Sequence, residues 1–308
     1  MNGPGCGLPG VARLRAACDA GARAAADRPG GAGGPPRGPT VLKLGGELLE
    51  TPERLGGIVA TVCALTARGP LVVVHGGGKE IDAEIARRGL ARRSVDGLRV
   101  TDPATLDAVV AVLAGTINTR LVAALTGAGI AAVGLTGADG RVVPVVRAAP
   151  HRSTGGAVVD LGLVGDPVDA GRPRLLDDLL RGGYVPVLAC LGVGKDGGML
   201  NVNADTLAAH VAGVLAASRL VIAGTTPGVL DRSGAPIAEL TPEAVDAMVA
   251  DGTVSAGMVA KLAACRAALQ RGVEDVANVD GRDPSQLLAG AGTRIVRGAR
   301  PAPRSTMP

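Results

Sequence analysis

The sequence predicts an α/β protein, a three-layer α/β/α sandwich around an open, mainly parallel sheet. Three observations carry this. Short apolar runs alternate with segments of 3.6-residue periodicity, the run ends are rich in glycine, and no repeat of fixed period interrupts the pattern. Strand–helix alternation needs crossover connections, which place helices on both faces of a parallel sheet.

In chain order, residues 1–39 end in the Gly- and Pro-rich stretch RPGGAGGPPRGPT and read as a flexible extension. Before that stretch, VARLRAACDAGARAAAD has the composition of one helix. The first strand is VLKL, closed by Gly45-Gly46, and Pro52–Arg68 reads as the helix after it. LVVVH runs into Gly76-Gly77-Gly78 and the helix Lys79–Arg88. A long helical segment, Pro103–Gly127, leads to IAAVGL and the glycines between Gly134 and Gly140. Asp139–Gly165, rich in Val, Gly and Pro, predicts hairpins and an antiparallel edge. VPVLACL, the helix Asp205–Ala217, RLVIAG, the helix Ala256–Arg271 and EDVANV complete the alternation. The tail from residue 298 to 308 is expected to be disordered.

Composition removes several function classes. The net charge is +4, but residues 1–40 and 297–308 each contribute +3, so the body of the chain carries −2. With no Phe, no Trp and only Tyr184, a basic surface with stacking aromatics is missing, which argues against nucleic acid. No apolar run approaches the ~20 residues that cross a bilayer, and the first residues lack a secretory pattern. Five cysteines without a CxxC pair argue against a disulfide framework or a zinc site, and a cytoplasmic location is expected. The 32 basic residues include only four lysines, Lys43, Lys79, Lys195 and Lys261. In so arginine-biased a chain, a lysine marks a place where a compact, mobile point charge is needed.

Lys43 is the sharpest case, because a lone ammonium in an apolar strand costs several kcal/mol unless it meets an anion. In open α/β sheets ligands bind beyond the carboxyl ends of the strands, where the glycine clusters also fall. Closely approaching backbone N–H groups at helix N-termini suit a polyanion. Standard phosphate motifs do not explain the pattern. GxxxxGK[ST] is absent, since Lys79 is followed by Glu80. GVGKDG at 192–197 matches GxGxxG, but it does not open a helix directly and has no acid about 20 residues on, so it reads as a hairpin turn. His75, His151 and His210 have no metal-ligand spacing, and His75 is assigned a supporting role for the glycine loop.

VLKLGG, VVVHGGG, DGLRVTD, LNVNAD and SAGMVAK occur in an order and spacing that resemble the amino acid kinase family. Within it they resemble the enzymes that phosphorylate the side-chain carboxylate of N-acetyl-L-glutamate in arginine biosynthesis. The resemblance spans about residues 40–297, with a substrate half to about 190 and a nucleotide half from 191. It implies ATP as donor, Mg²⁺ bound through the ATP phosphates, and no metal site made by the protein. It makes Lys43 and Lys261 the residues that meet the transferring phosphoryl group, with Gly46 beside them and Asp205 organising both lysines. Asp205 also stands where it could cap the helix TLAAHVAGVLAA. Gly77, Gly78, Arg99 and Asn201 are the implied substrate ligands. Thr225, Gly228, Leu230, Gly257 and Met258 fall on the implied nucleotide site. A homodimer is implied, with a hexamer if the N-terminal helix links dimers.

The chemistry fits without a general base. A glutamate side chain with pKa about 4.3 is already an anion at neutral pH and can attack phosphorus directly. The task is then positioning and charge stabilisation. Two departures concern the nucleotide side: Thr225 stands where relatives often carry aspartate, and SAGMVAK lacks the commoner Gly-Gly-Met opening. Three rival readings are a kinase for an aminoadipate-type or carrier-linked acceptor of lysine biosynthesis, a catalytically silent regulatory member of the fold, and an NAD-linked oxidoreductase. The missing ribose-binding acid disfavours the last.

Overall fold

The computed structural model describes residues 38–153, 155–250, 252–254, 256–289 and 291–296. The extension up to residue 37, its helix, and the tail lie outside the described residues.

Eight strands form the central sheet in the order Glu239–Leu240, Gly292–Ile295, Asp275–Asp280, Arg219–Gly224, Thr40–Leu44, Leu71–His75, Val185–Ala189 and Ala132–Leu135. The six strands from Asp275–Asp280 to Ala132–Leu135 pair in parallel, as the alternation predicts. The Val- and Leu-rich runs Leu71–His75 and Val185–Ala189 are buried throughout because helices cover both faces, whereas the edge strand Ala132–Leu135 is only partly buried. Thr40–Leu44 sits at the centre: the chain first extends the sheet to one side of it, then to the other. That is a topological switch point, where a crevice opens beyond the strand ends.

Register sorts the two faces. Lys43 lies level with Val74 and Ile222, while Leu44 lies level with His75 and Ala223. Lys43 and His75 therefore point to opposite faces. Ala204–Val214 and Ala256–Gln270 pack together on the Lys43 face. Asn118–Gly127 packs on the His75 face, joined there by Pro52–Thr66 and Pro284–Ala289. Local signals start these helices: Thr51 accepts a hydrogen bond from the Arg54 N–H ahead of Pro52, and Asp102 accepts one from Thr105 ahead of Pro103.

Three expectations change. Asp139–Gly165 does form hairpins, but in two separate ribbons (Val145–Arg147 with Gly165–Pro167, His151–Arg152 with Val158–Val159), not at the edge of the main sheet. The antiparallel element of that sheet is Gly292–Ile295, which pairs with Asp275–Asp280. Pro103–Gly127 is long and apolar enough to cross a membrane by length and composition, although Leu113, Ile117, Leu121 and Leu125 are buried in the core. Its middle, Ala111–Ile117, is a π-helical stretch. Cys63 is disulfide-bonded, which the odd cysteine set did not indicate, whereas Cys190 and Cys265 are free and buried.

Candidate active site

Lys43 leaves the central strand one residue before its end and is 5% exposed. Asp205 resolves the cost of that burial. Its Oδ1 lies 2.8 Å from Lys43 Nζ, and its Oδ2 accepts a hydrogen bond from Lys261 Nζ at 3.4 Å. One carboxylate thus holds two ammonium groups that are far apart in the sequence.

The two lysines are not equivalent. Burial opposes the Lys43 charge, but the Asp205 carboxylate outweighs it and raises the lysine above its ordinary pKa. For Lys261, burial and the neighbouring Lys43 charge together outweigh Asp205 and lower its pKa. Burial also opposes the Asp205 charge, yet Lys43 and then Lys261 hold it below the usual carboxylate range. Two cations against one anion leave the cluster with a positive excess that a phosphoryl group would neutralise.

Asp205 is free for this because it is not the helix cap. The side chain of Asn203 accepts from the N–H groups of Asp205 and Thr206, so Asn203 caps Ala204–Val214. The expectation that Asp205 might cap this helix is corrected by that hydrogen bond.

A cavity of about 380 Å³ opens over the lysines. Lys43, Gly46, Gly77, Gly78, Arg99, Asn201, Asp205, Gly257 and Lys261 all line it, so nine predicted residues from both halves of the chain converge. Close backbone packing explains the glycines. A Cβ on Gly46 would stand 2.6 Å from the Gly77 Cα, and one on Gly77 would collide with the Ile117 side chain. Gly78 and Gly257 differ: a Cβ on either would meet nothing within 4 Å, so their faces are open. The Gly76 N–H donates to the Leu44 carbonyl at 3.0 Å, which holds the two glycine loops side by side.

Arg99 is anchored before any ligand arrives. Its Nη1 pairs with Asp82 Oδ1 at 2.6 Å, and its Nη2 donates to the Gly78 carbonyl at 3.2 Å. Asn201 donates through Nδ2 to Thr101 Oγ1 at 3.3 Å. Cys190 also lines the cavity, but its buried thiol is pushed up to about 12 and donates to the His75 carbonyl.

Thr225, Gly228, Leu230 and Met258 do not line this cavity. Gly228 is buried with φ 128°, and a Cβ there would lie 2.7 Å from Thr293 Oγ1. Leu230 bridges to Pro236, and Met258 Sδ accepts a hydrogen bond from Asn278 at 3.3 Å. Thr225, partly buried, follows the end of Arg219–Gly224. Sequence reasoning missed Glu47, whose carboxylate lines the cavity and lies against Gly45. It also missed Asn203, although that residue stands inside the quoted LNVNAD and Glu47 directly follows VLKLGG.

The profile of the amino acid kinase family matches residues 38–277. Acetylglutamate kinases of Brucella anthropi and Brucella abortus are 42% identical over 270 residues, covering 83% of this chain and 90% of theirs. Among solved structures, the Streptococcus mutans protein smu.665 superposes with a TM-score of 0.72 at 29% identity, over 84% of this chain and 98% of that one. N-acetylglutamate synthase from Neisseria gonorrhoeae, complexed with coenzyme A and N-acetyl-glutamate, gives a TM-score of 0.74 at 23% identity, over 94% of this chain and 64% of that one, a likeness of fold. By the span of the profile match and the identity to these relatives, the chain belongs to the amino acid kinase family.

Proposed function

We propose that the chain transfers the γ-phosphoryl group of ATP to the side-chain carboxylate of N-acetyl-L-glutamate, yielding N-acetyl-L-glutamyl 5-phosphate and ADP in arginine biosynthesis. The observation that carries this reading is the pair Lys43 and Lys261, bound to one Asp205 in a cavity that Arg99 and Asn201 also line. The 42% identity to acetylglutamate kinases supports the acceptor.

A carboxylate oxygen of the acceptor forms the new P–O bond while the bond to the ADP oxygen breaks, and no proton moves. Lys43 and Lys261 offset the charge on the phosphoryl oxygens, and Asp205 fixes where the two ammonium groups stand. N–H groups of Gly46, Gly77 and Gly78 supply donors along the cavity wall. Arg99 and Asn201 orient the acceptor's α-carboxylate. Thr225, Gly228, Leu230, Gly257 and Met258 belong to the nucleotide half, about residues 191–297, and the acceptor half is about 40–190. Mg²⁺ would be carried by the ATP phosphates. When bound, it supplies charge neutralisation there.

The chain acts in the cytoplasm as a homodimer paired through the acceptor half. The small, exposed residues Ala111, Gly115 and Ala123 on Pro103–Gly127 suit close packing of a second copy. A hexamer would need residues before 38.

An acceptor panel of N-acetylglutamate, aminoadipate, glutamate and aspartate, with ATP and Mg²⁺, tests the proposal. ADP release with N-acetylglutamate well above the others is expected. Equal release without acceptor, or a preference for aminoadipate or unacetylated glutamate, overturns the assignment.

A further inference from the structure

A second cavity, of about 530 Å³, lies beside the catalytic one and is walled by Ala204–Val214 and Ala256–Gln270. We propose that it is a binding site for a small organic dianion with an apolar body, distinct from the acceptor and nucleotide positions.

The polar groups set the charge of the ligand. His210 is 5% exposed, yet its Nδ1 has no hydrogen-bond partner. Arg152 enters from the hairpin of the acceptor half, and Arg271 follows the helix of the nucleotide half. Arg271 reaches Asp169 only at 3.5 Å, with its side chain 35% exposed. The remaining pair at the wall, His151 Nε2 and Asp96 Oδ2 at 2.8 Å, is already matched. Two guanidinium groups lining one cavity select a carboxylate-type anion. Burial and the Arg271 charge push His210 down to about 4, so the ring stays neutral and adds no charge to the cavity.

The floor sets the rest of the ligand. Ala209, Val259, Ala263 and Ala267 make it apolar, and a bare inorganic anion would leave it uncovered. The volume falls in the range of small-molecule pockets, about 300–1,000 Å³.

The position suggests coupling to catalysis. Asp96, Leu98, Asn203 and Ala260 line both cavities, while Lys43 and Lys261 line only the catalytic one. Asn203 caps the helix that carries Asp205. A ligand that spans Arg152 and Arg271 would tie the two halves together without touching the lysines.

Isothermal titration calorimetry of the full chain tests the site with phthalate as an apolar-bodied dicarboxylate and inorganic phosphate as the control lacking that body. Each titration is run with and without a non-hydrolysable ATP analogue. Phthalate is expected to bind at one site in both conditions, at least about tenfold tighter than phosphate. Arg152→Gln, at an exposed position that the fold tolerates, should weaken phthalate about tenfold. No phthalate binding, equal affinity for phosphate, displacement by the ATP analogue, or unchanged affinity in Arg152→Gln would each overturn the proposal.

Discussion

Asn118 donates a hydrogen bond from Nδ2 to Nε2 of His75 across 3.1 Å in the buried core. The same Nδ2 donates to the Val187 carbonyl at 2.9 Å, which fixes the amide's orientation, because a carbonyl can only accept. Nε2 of His75 is therefore the acceptor, and Nδ1 carries the proton that it donates to the Gly76 carbonyl at 3.2 Å. Burial lowers the His75 pKa to about 4. His75 is a neutral brace for the glycine loop, not an acid or base.

This brace makes stability depend on pH. The unfolded imidazole takes up a proton near 6.5, whereas the folded one waits until about 4, so the unfolded state binds more protons between those values. Stability is complete above 6.5 and falls as pH drops toward 4, by about 3 kcal/mol for this group. Urea unfolding at pH 7.0 and 4.5 measures the loss, which should be smaller in His75→Gln. An equal loss in that variant would contradict the assignment.

Asp205→Asn should separate organisation of the lysines from helix capping. Asn203 keeps the cap, so the helix remains, but Lys43 is left buried without a full counter-charge. We expect kcat to fall about 10²- to 10³-fold and stability to drop by about 3 kcal/mol. Asn203→Ala should instead cost about 1 kcal/mol. Steady-state kinetics and thermal melts distinguish the two, and an Asp205→Asn enzyme with normal kcat contradicts the site.

The glycines should split into two classes. Gly46→Ala pushes a methyl into the Gly77 backbone and should destabilise by about 1–3 kcal/mol. Gly78→Ala meets open space, so its melting temperature should hold while turnover falls because the methyl enters the cavity. Thermal melts with parallel assays check this, and normal turnover in Gly78→Ala would remove that residue from the substrate face.

Arg99→Lys should raise the acceptor KM about tenfold with kcat changed far less, since lysine cannot hold Asp82, the Gly78 carbonyl and an acceptor carboxylate together. Acceptor saturation curves decide it. A matching fall in kcat with unchanged KM would place Arg99 at the transition state instead.

Much of this was legible in the sequence, for identifiable reasons. Val-rich runs closed by glycines marked the parallel strands, and Lys43 stood out as a charge that a strand cannot hold alone. The lysine count was informative at two of four positions: Lys79 pairs with Glu50 at the surface, and Lys195 sits at the turn between Leu191–Val193 and Met199–Asn201. That turn is the hairpin expected of GVGKDG. The sheet edge was not legible, because periodicity marks a strand without naming its neighbour. NVNAD contains three residues of the capping type, Asn201, Asn203 and Asp205, and only coordinates show that Asn203 takes that role. Arg174–Arg181 and Pro242–Ala250 were too short to stand out as helices.

The convergence of two lysines on one phosphoryl group is tested most directly by a double-mutant cycle on single-turnover rates with Lys43→Ala, Lys261→Ala and both together. If the two groups act as a unit, each single variant loses about 10²- to 10³-fold and the double loses little more than the worse single. Losses that add to within about 0.5 kcal/mol, or a single variant near the wild-type rate, would contradict the account.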